Sequence, residues 1–85
     1  MYTVKLRAKA HKDLRRLPRE VHTRVLAQLI SLQEEPRPRG VEKLRGKKGW
    51  RVRVGDYRIV YEIDDHSQEV VIYRIGHRKD VYRVP

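Results

Sequence analysis

The chain contains no cysteine and no long apolar segment. The absence of cysteine excludes disulfides and thiolate metal sites. The longest apolar stretches are a few residues, whereas a membrane-spanning helix needs about 20. The N-terminus also lacks the charged and then apolar pattern of a signal segment, which favours a cytoplasmic protein that has no membrane partner.

Sequence patterns of several common catalytic sites are also missing. There is no glycine-rich phosphate loop, and Ser31 and Ser67 have no nucleophile-elbow context. Asp64, Asp65 and His66 are adjacent in a polar turn, so their side chains are not expected to converge on one ion. We therefore predict no metal site and no cofactor, and a metal-dependent nuclease, which needs clustered carboxylates, is disfavoured.

Positive charge is the abundant feature. The 85 residues include 21 Lys and Arg against 11 Asp and Glu, a formal net charge of +10. A chain of this length buries only about 60–65% of its unfolded surface, which allows a single domain, residues 1–85, with one modest core. The basic residues are densest between positions 43 and 58, where Asp56 is the one acid among seven of them: Lys43, Arg45, Lys47, Lys48, Arg51, Arg53 and Arg58. This local density indicates a polyanionic partner, with nucleic acid as the first choice.

Hydrophobic periodicity divides the chain into strand, helix and strand regions. Residues 2–7 alternate with period two and predict a strand. Apolar residues then recur at helical spacing up to Pro18, which ends the first helix, and a second helix is predicted over about residues 19–35. The Pro- and Gly-rich stretch 36–40 ends the second helix, so the two helices are expected to pair as a hairpin.

After residue 49 the period returns to two. Residues 50–54 and 57–63 are predicted strands joined by Gly55-Asp56, a strong two-residue hairpin signal, and a third strand covers about residues 69–75. The predicted fold class is α+β: a strand, a helical hairpin, and then an antiparallel three-strand meander that forms one sheet with the helices on one face.

The two-residue turn predicts the register of the first two meander strands. Arg53 then lies opposite Arg58, with Arg51 on the same face. The other face forms the core: Trp50, Val52, Val54, Tyr57, Ile59 and Tyr61. Like charges directly opposite each other cost roughly 0.2–1 kcal/mol, so stability alone does not explain this pair of arginines. An anion bound between them would reverse the sign of the interaction.

The register of the third strand depends on how the turn at residues 64–68 is counted. An even loop buries Arg74 with Ile59 and Tyr61. An odd loop instead buries Val71, Tyr73 and Ile75. Because burial of an unpaired guanidinium is costly, the odd loop is preferred. It places Val70 and Ile72 with Arg74 on the arginine face, where the two apolar side chains would anchor a partner protein.

Two regions resemble the RelE/ParE superfamily of toxins from type II toxin–antitoxin modules. They are residues 50–61 and the sequence Gly-His-Arg-Lys-Asp-Val-Tyr-Arg at 76–83. The RelE branch is the closer match, and the order and spacing of the segments extend the resemblance over essentially the whole chain. The resemblance implies a metal-independent, ribosome-dependent endoribonuclease that cuts mRNA in the ribosomal A site and is inhibited by a cognate acidic antitoxin.

The resemblance also transfers site residues. Its catalytic positions correspond to Arg51, Arg53, Arg58, His77, Arg78 and Tyr82. The best-known RelE pattern has lysine at positions 51, 53 and 77, so this chain departs from it there. Cleavage through the RNA 2′-hydroxyl requires proton removal, stabilisation of a phosphorane, and protonation of the leaving 5′-oxygen. Arginines suit the second requirement but keep their protons near neutral pH.

The remaining steps need other side chains. His77 is the predicted proton-transfer group because it is the one histidine beside the basic face in sequence. Arg78 is expected to neutralise charge at the leaving oxygen. Tyr82 either orients the 2′-hydroxyl, stacks on a base, or seals the edge of the core.

The partners are predicted from the same surface. RNA is expected to contact five basic residues: Lys43, Arg45, Lys47, Lys48 and Arg74. The loop lysines and arginine are equally compatible with a solubilising segment. The antitoxin is expected to cover Val70, Ile72, Arg53 and Arg58. Two alternative functions remain open: a ParE-like inhibitor of DNA gyrase without nuclease chemistry, and an inactive relic that binds RNA or the ribosome.

Overall fold

The computed structural model describes residues 1–81. Its elements, in chain order, are β1 (Thr3–Leu6), α1 (Ala8–Arg16), α2 (Arg19–Ser31), β2 (Glu42–Lys43), β3 (Trp50–Val54), β4 (Tyr57–Asp64) and β5 (Glu69–His77). The five strands form one sheet in the order β1-β5-β4-β3-β2. Strand β1 is parallel to β5, and the other neighbours are antiparallel. The predicted α+β class is confirmed.

The two helices begin and end for local reasons. Helix α1 stops at Arg16, two residues before Pro18, whose ring disfavours helical backbone at the preceding residue. Helix α2 ends at Ser31, earlier than predicted, and Leu32 remains fully buried. The carbonyl of Gln33 accepts a hydrogen bond from the backbone N–H of Tyr2 at 2.8 Å. The end of the helical hairpin is therefore tied to the start of β1.

The β3–β4 hairpin has the predicted register. Trp50 pairs with Tyr61, Val52 with Ile59, and Arg53 with Arg58. The turn depends on Gly55, whose φ of +60° lies in the left-handed region required at the first position of a type II′ hairpin turn. Because the loop contains only two residues, this register follows from the sequence.

Strand β5 has a different register from the one predicted. Near the start of β5, Ile72 pairs with Tyr61, and further along Ile75 pairs with Ile59. Between these two pairs, β5 contains one more residue than β4. The register shift lies between Val60 and Tyr61 of β4. A β-bulge of this kind lets two parts of one strand present the same face to the core.

The bulge overturns the predicted outward position of two side chains. Val70 and Ile72 are both 0% exposed and belong to the core, so the prediction that they face outward as anchors for a partner is wrong. Ile75 is buried with them, and Arg74 avoids the core. Neither a purely even nor a purely odd loop could produce this arrangement, because simple alternation along the strand would move one group to the other face.

The core lies between the helical hairpin and one face of the sheet. Its largest fully buried side chains are Tyr61, Leu32, Ile59, Ile72, Ile75, Val25 and Val70. The hydroxyl of Tyr61 donates to the carbonyl oxygen of Pro36 at 2.8 Å, and burial raises the pKa of this phenol. The short strand β2 was not predicted, since two residues are too few to show any periodicity. No helix within residues 1–81 is long and apolar enough to cross a membrane.

Candidate functional site

The outer face of the sheet, opposite the helices, carries the predicted arginines. Arg51 and Arg53 alternate with core residues of β3, and Arg58 lies across from Arg53 on β4. The pairing of Arg53 with Arg58 is the feature that the turn analysis predicted. Arg53 is exposed, whereas Arg58 is only 9% exposed.

Backbone carbonyls hold Arg58 in place. Its Nη1 donates to the carbonyl oxygens of Gly55 at 3.1 Å and Tyr57 at 3.0 Å. Gly76 is the cross-strand partner of Arg58, and the side chain of Val81 packs 3.6 Å from where a Cβ on Gly76 would lie. Within the described part of the chain, no carboxylate forms an ion pair with Arg58 or Arg53.

Glu42 of β2 is an acid that pairs with one of these arginines. Its Oε1 accepts a hydrogen bond from Nε of Arg51 at 3.1 Å. The pKa of Glu42 is lowered, chiefly by this hydrogen bond and the charge of Arg51, and further by the charges of Arg53 and Arg58. The positive charges of all three arginines thus favour the ionised form of Glu42.

A groove of about 630 Å³ opens on the same face. Its basic lining residues are Lys43, Arg45, Lys47, Arg51 and Arg74, and Val60 and Val81 supply apolar surface. We call this concavity the outer groove. Four of the five predicted RNA-binding residues line it. The fifth, Lys48, is exposed in the loop after β2 and is not among the lining residues.

Arg74 has an acidic partner that the sequence analysis did not identify. Its Nε donates to Oδ2 of Asp13 at 2.8 Å, and its Nη2 lies 3.4 Å from Oδ1. The same Oδ2 accepts the backbone N–H of Ile75 at 2.9 Å. Strand β1 pairs with β5 only up to Ile72. The N–H of Ile75 lies beyond the end of that pairing, and Asp13 of α1 accepts its hydrogen bond instead.

Lys43 serves two surfaces. It lines the outer groove, but its ammonium lies 5.1 Å from the centre of the Trp50 ring and 3.4 Å from the carbonyl oxygen of Gly49. Arg37 also lies 5.1 Å from the Trp50 ring centre. The charge of Lys43 is therefore directed partly toward the aromatic side chain at the start of β3.

His77 does not lie beside the arginines of the outer face. Its ring makes an edge contact with Tyr57, a residue of the helix face, with 5.5 Å between ring centres. Its Nδ1 accepts the backbone N–H of Lys79 at 3.2 Å. The sequence neighbourhood was misleading here because alternate residues of a strand point to opposite faces.

Arg78 lies in the turn after β5. Arg78 is exposed, and its backbone N–H donates to the carbonyl oxygen of Asp56 at 2.8 Å, which ties this turn to the β3–β4 hairpin. Tyr82 lies outside the described residues. Among residues 1–81, no group of three or more His, Asp or Glu side chains is arranged to hold a metal ion.

Three residues of the site were missed by sequence reasoning. Glu42 gave no periodic signal, and Val81 follows the last predicted strand. Asp13 did have a signal, because it is the one acid in a helix that otherwise carries Lys9, Lys12, Arg15 and Arg16. A single acid in so basic a helix indicates a specific partner.

Comparison with known proteins gives a consistent result. The family described as ParE toxin of type II toxin-antitoxin system, parDE, matches residues 4–82. The chain is 39% identical to Toxin RelG of Mycobacterium tuberculosis over 88 residues, covering 96% of this chain and 97% of that protein.

Two crystal structures share the fold. The toxin–antitoxin complex RelBE2 of Mycobacterium tuberculosis has a chain with a TM-score of 0.81 and 36% identity, covering 91% of this chain and 98% of that one. The archaeal RelE–RelB complex of Pyrococcus horikoshii OT3 also has a TM-score of 0.81, with 31% identity and coverage of 94% and 98%.

Proposed function

The chain belongs to the RelE/ParE superfamily of toxins from type II toxin–antitoxin systems, and we propose that it is a ribosome-dependent endoribonuclease that cleaves mRNA in the ribosomal A site. The proposed reaction needs no metal: the 2′-hydroxyl of the RNA attacks the adjacent phosphate and displaces the 5′-oxygen of the next nucleotide. Relatives named RelG and RelE support the RelE-like branch.

The observation that carries the proposal is the pair Arg53 and Arg58 on the outer face, beside the outer groove. Two guanidinium groups opposite each other repel unless an anion lies between them. A phosphate that gains negative charge in a pentacoordinate transition state is such an anion, and guanidinium groups bind phosphate oxygens through two parallel hydrogen bonds. Arg58 is preorganised because the carbonyls of Gly55 and Tyr57 hold it.

Proton transfer requires a different chemistry from the arginines. His77 has a suitable side chain, but it contacts Tyr57 on the helix face, and its Nδ1, the basic nitrogen of the neutral ring, already accepts the backbone N–H of Lys79. The proposal therefore assigns phosphate binding and charge neutralisation to Arg51, Arg53 and Arg58. Arg78 is assigned to the leaving oxygen and Tyr82 to the 2′-hydroxyl.

The nuclease is tested by primer extension on a defined mRNA translated by purified ribosomes. We expect cleavage within codons that depends on the ribosome, and a roughly 100-fold slower rate for Arg53→Gln, because one charge-stabilising donor is typically worth 10²–10³ in rate. Arg39→Gln, which removes an exposed arginine from the loop after α2, is the matched control and should cleave at the wild-type rate.

Two results would contradict the proposal. Intact mRNA together with arrested growth of the expressing cells would exclude the nuclease. DNA damage that depends on gyrase, with mRNA left whole, would favour the ParE-like alternative, which the same fold can support.

We further propose that the partner is an acidic antitoxin that covers the outer face. Two structures of similar chains are complexes with RelB antitoxins, and the exposed Arg53 beside the outer groove supplies a complementary charge. Arg53→Glu should weaken the complex with the antitoxin encoded beside this gene by at least tenfold in isothermal titration calorimetry, because a like charge would then face the acidic chain. An unchanged affinity would mean that the antitoxin docks elsewhere.

A further inference from the structure

Helix α1 carries a second basic surface outside the outer groove. Lys9, Lys12 and Arg16 are spaced by three and four residues, so they lie on one side of the helix. Together with Arg74 they line a concavity of about 270 Å³, and Asp13 is the one acid in its lining. We call Lys9, Lys12 and Arg16 the α1 stripe.

The acid in this concavity is already paired. Asp13 accepts hydrogen bonds from the guanidinium of Arg74 and from the backbone N–H of Ile75. Its negative charge is therefore matched by Arg74, and the three positive charges of the α1 stripe remain uncompensated at this site. Within residues 1–81, none of the three stripe residues forms an ion pair, and all three are exposed.

The α1 stripe and the outer groove meet at a single residue. Arg74 lines both concavities, because it lies at the end of the bulge in β5 where the sheet edge passes beside α1. A polyanion lying in the outer groove that continued past Arg74 would therefore reach the α1 stripe directly. From Lys9 to Arg16 the stripe extends the path by about 10 Å along the helix axis.

The composition of the stripe favours nucleic acid over protein as its partner. Protein interfaces have an apolar core surrounded by a polar rim, but the concavity is lined by Lys9, Lys12, Asp13, Arg16 and Arg74, with no apolar side chain. Surfaces that follow a phosphate backbone are basic and polar throughout.

We propose that the α1 stripe is a second phosphate-binding surface, which holds the RNA backbone beyond the cleavage site. The inference rests on the proposed function in taking RNA as the ligand, but it requires no catalysis. Its contribution is electrostatic, because exposed lysines and an arginine on a helix neutralise phosphates without reading bases. The stripe should therefore bind RNA without preference for sequence.

The test compares two triple variants with equal loss of charge. One is Lys9→Gln, Lys12→Gln, Arg16→Gln; the control is Arg15→Gln, Arg19→Gln, Arg39→Gln, three exposed arginines that line neither concavity. The probe is a single-stranded RNA of about 30 nucleotides whose 2′-hydroxyls are methylated, so that cleavage cannot occur. Fluorescence anisotropy at several KCl concentrations gives the affinity and its salt dependence.

The stripe variant should bind about tenfold more weakly at low salt. The slope of log affinity against log salt should become shallower by about 2, since each lost phosphate contact on a single strand changes it by about 0.7. The control should change the slope by well under 1. As a less disruptive variant, Lys12→Gln alone should change the slope by about 0.7.

Several outcomes would overturn the inference. If both triple variants lost the same RNA affinity, the effect would be one of net charge. If the stripe variant bound RNA as tightly as the wild-type protein, the α1 stripe would not be an RNA-binding site. Weaker binding of the acidic antitoxin with unchanged RNA affinity would assign the stripe to a protein partner. If wild-type protein cleaves no mRNA but only the stripe variant loses RNA affinity, the inference stands while the proposed nuclease fails.

Discussion

The two faces of the sheet differ in what their side chains contribute to folding. On the helix face, Ile59, Tyr61 and Ile72 are completely buried, and their positions are what a small core requires. On the outer face, Arg53 lies opposite Arg58, an arrangement that costs free energy. One face is explained by stability, whereas the other needs a function to explain it.

Arg37 and Arg53, from the two sides, also differ in their partners. Arg37, above Trp50 on the helix side, forms a two-point ion pair with Asp65, whose Oδ1 also accepts the hydroxyl of Tyr2 at 2.7 Å. Arg53 has no acidic partner among residues 1–81. Arg37 is thus matched by a carboxylate of the same chain, as Arg51 and Arg74 are by Glu42 and Asp13. The charge of Arg53, in contrast, is available to a ligand.

The largest expected effect tests the core side of this contrast. Ile72→Ala should lower the free energy of unfolding by about 2–5 kcal/mol, as usual for deletion of a large buried side chain. Val71→Ala, one position away and on the outer face, should cost less than about 1 kcal/mol. Urea denaturation measures both. The reverse ranking would mean that β5 lacks the bulge and follows the odd-loop register.

A smaller effect of opposite sign is expected on the outer face. Arg53→Gln should raise the free energy of unfolding by about 0.2–1 kcal/mol, because it removes the repulsion across the strand pair. The same variant should lose nuclease activity, so that stability and function move in opposite directions. Arg39→Gln is the control in the same denaturation series. A destabilised Arg53→Gln protein would indicate that the two arginines do not repel each other.

The smallest effect concerns the paired arginine. Hydrogen bonds from Arg37 and Tyr2 lower the pKa of Asp65 to about 2. Because the pKa is lower in the folded state, this carboxylate stabilises the protein above about pH 4, near the ordinary aspartate value, and its contribution is lost as the pH falls toward 2. The side chains are 40% and 56% exposed, so the effect on stability should be modest.

Carbon-13 NMR of the aspartate carboxyls measures this titration directly. The midpoint of Asp65 should lie near pH 2 in the wild-type protein and should rise toward the ordinary value in Arg37→Gln. Tyr2→Phe should produce a smaller rise, since the hydrogen bond from Arg37 contributes most to the shift. A wild-type midpoint near 4 would show that this ion pair does not form in solution.

Local rules were sufficient where short loops constrain the chain. The turn at Gly55-Asp56 allows one register, which predicted the opposition of Arg53 and Arg58. The same rules failed for β5, since the turn after β4 does not reveal a bulge several residues later. The prediction for His77 failed for a different reason, since it relied on proximity in sequence to the basic residues, whereas His77 pairs with Tyr57 on the helix face.

The candidate site was predictable to a similar extent. Its arginines and most of its loop cations came from charge density and strand alternation. The acids of the site were not predicted, because Glu42 and Asp13 reach their partners only through tertiary contacts. Asp13 and Arg74 are separated by 61 positions in the chain, and no local pattern connects them.

By itself, the sequence determined the helical hairpin, the β3–β4 pairing and the basic character of one sheet face, because each depends on spacing between near neighbours. Only the tertiary structure decided that Val70 and Ile72 are buried, that Arg58 is enclosed, and that Arg74 joins the outer groove to α1. These features depend on a bulge and on packing between distant segments, where burial of apolar area and pairing of charges override simple alternation.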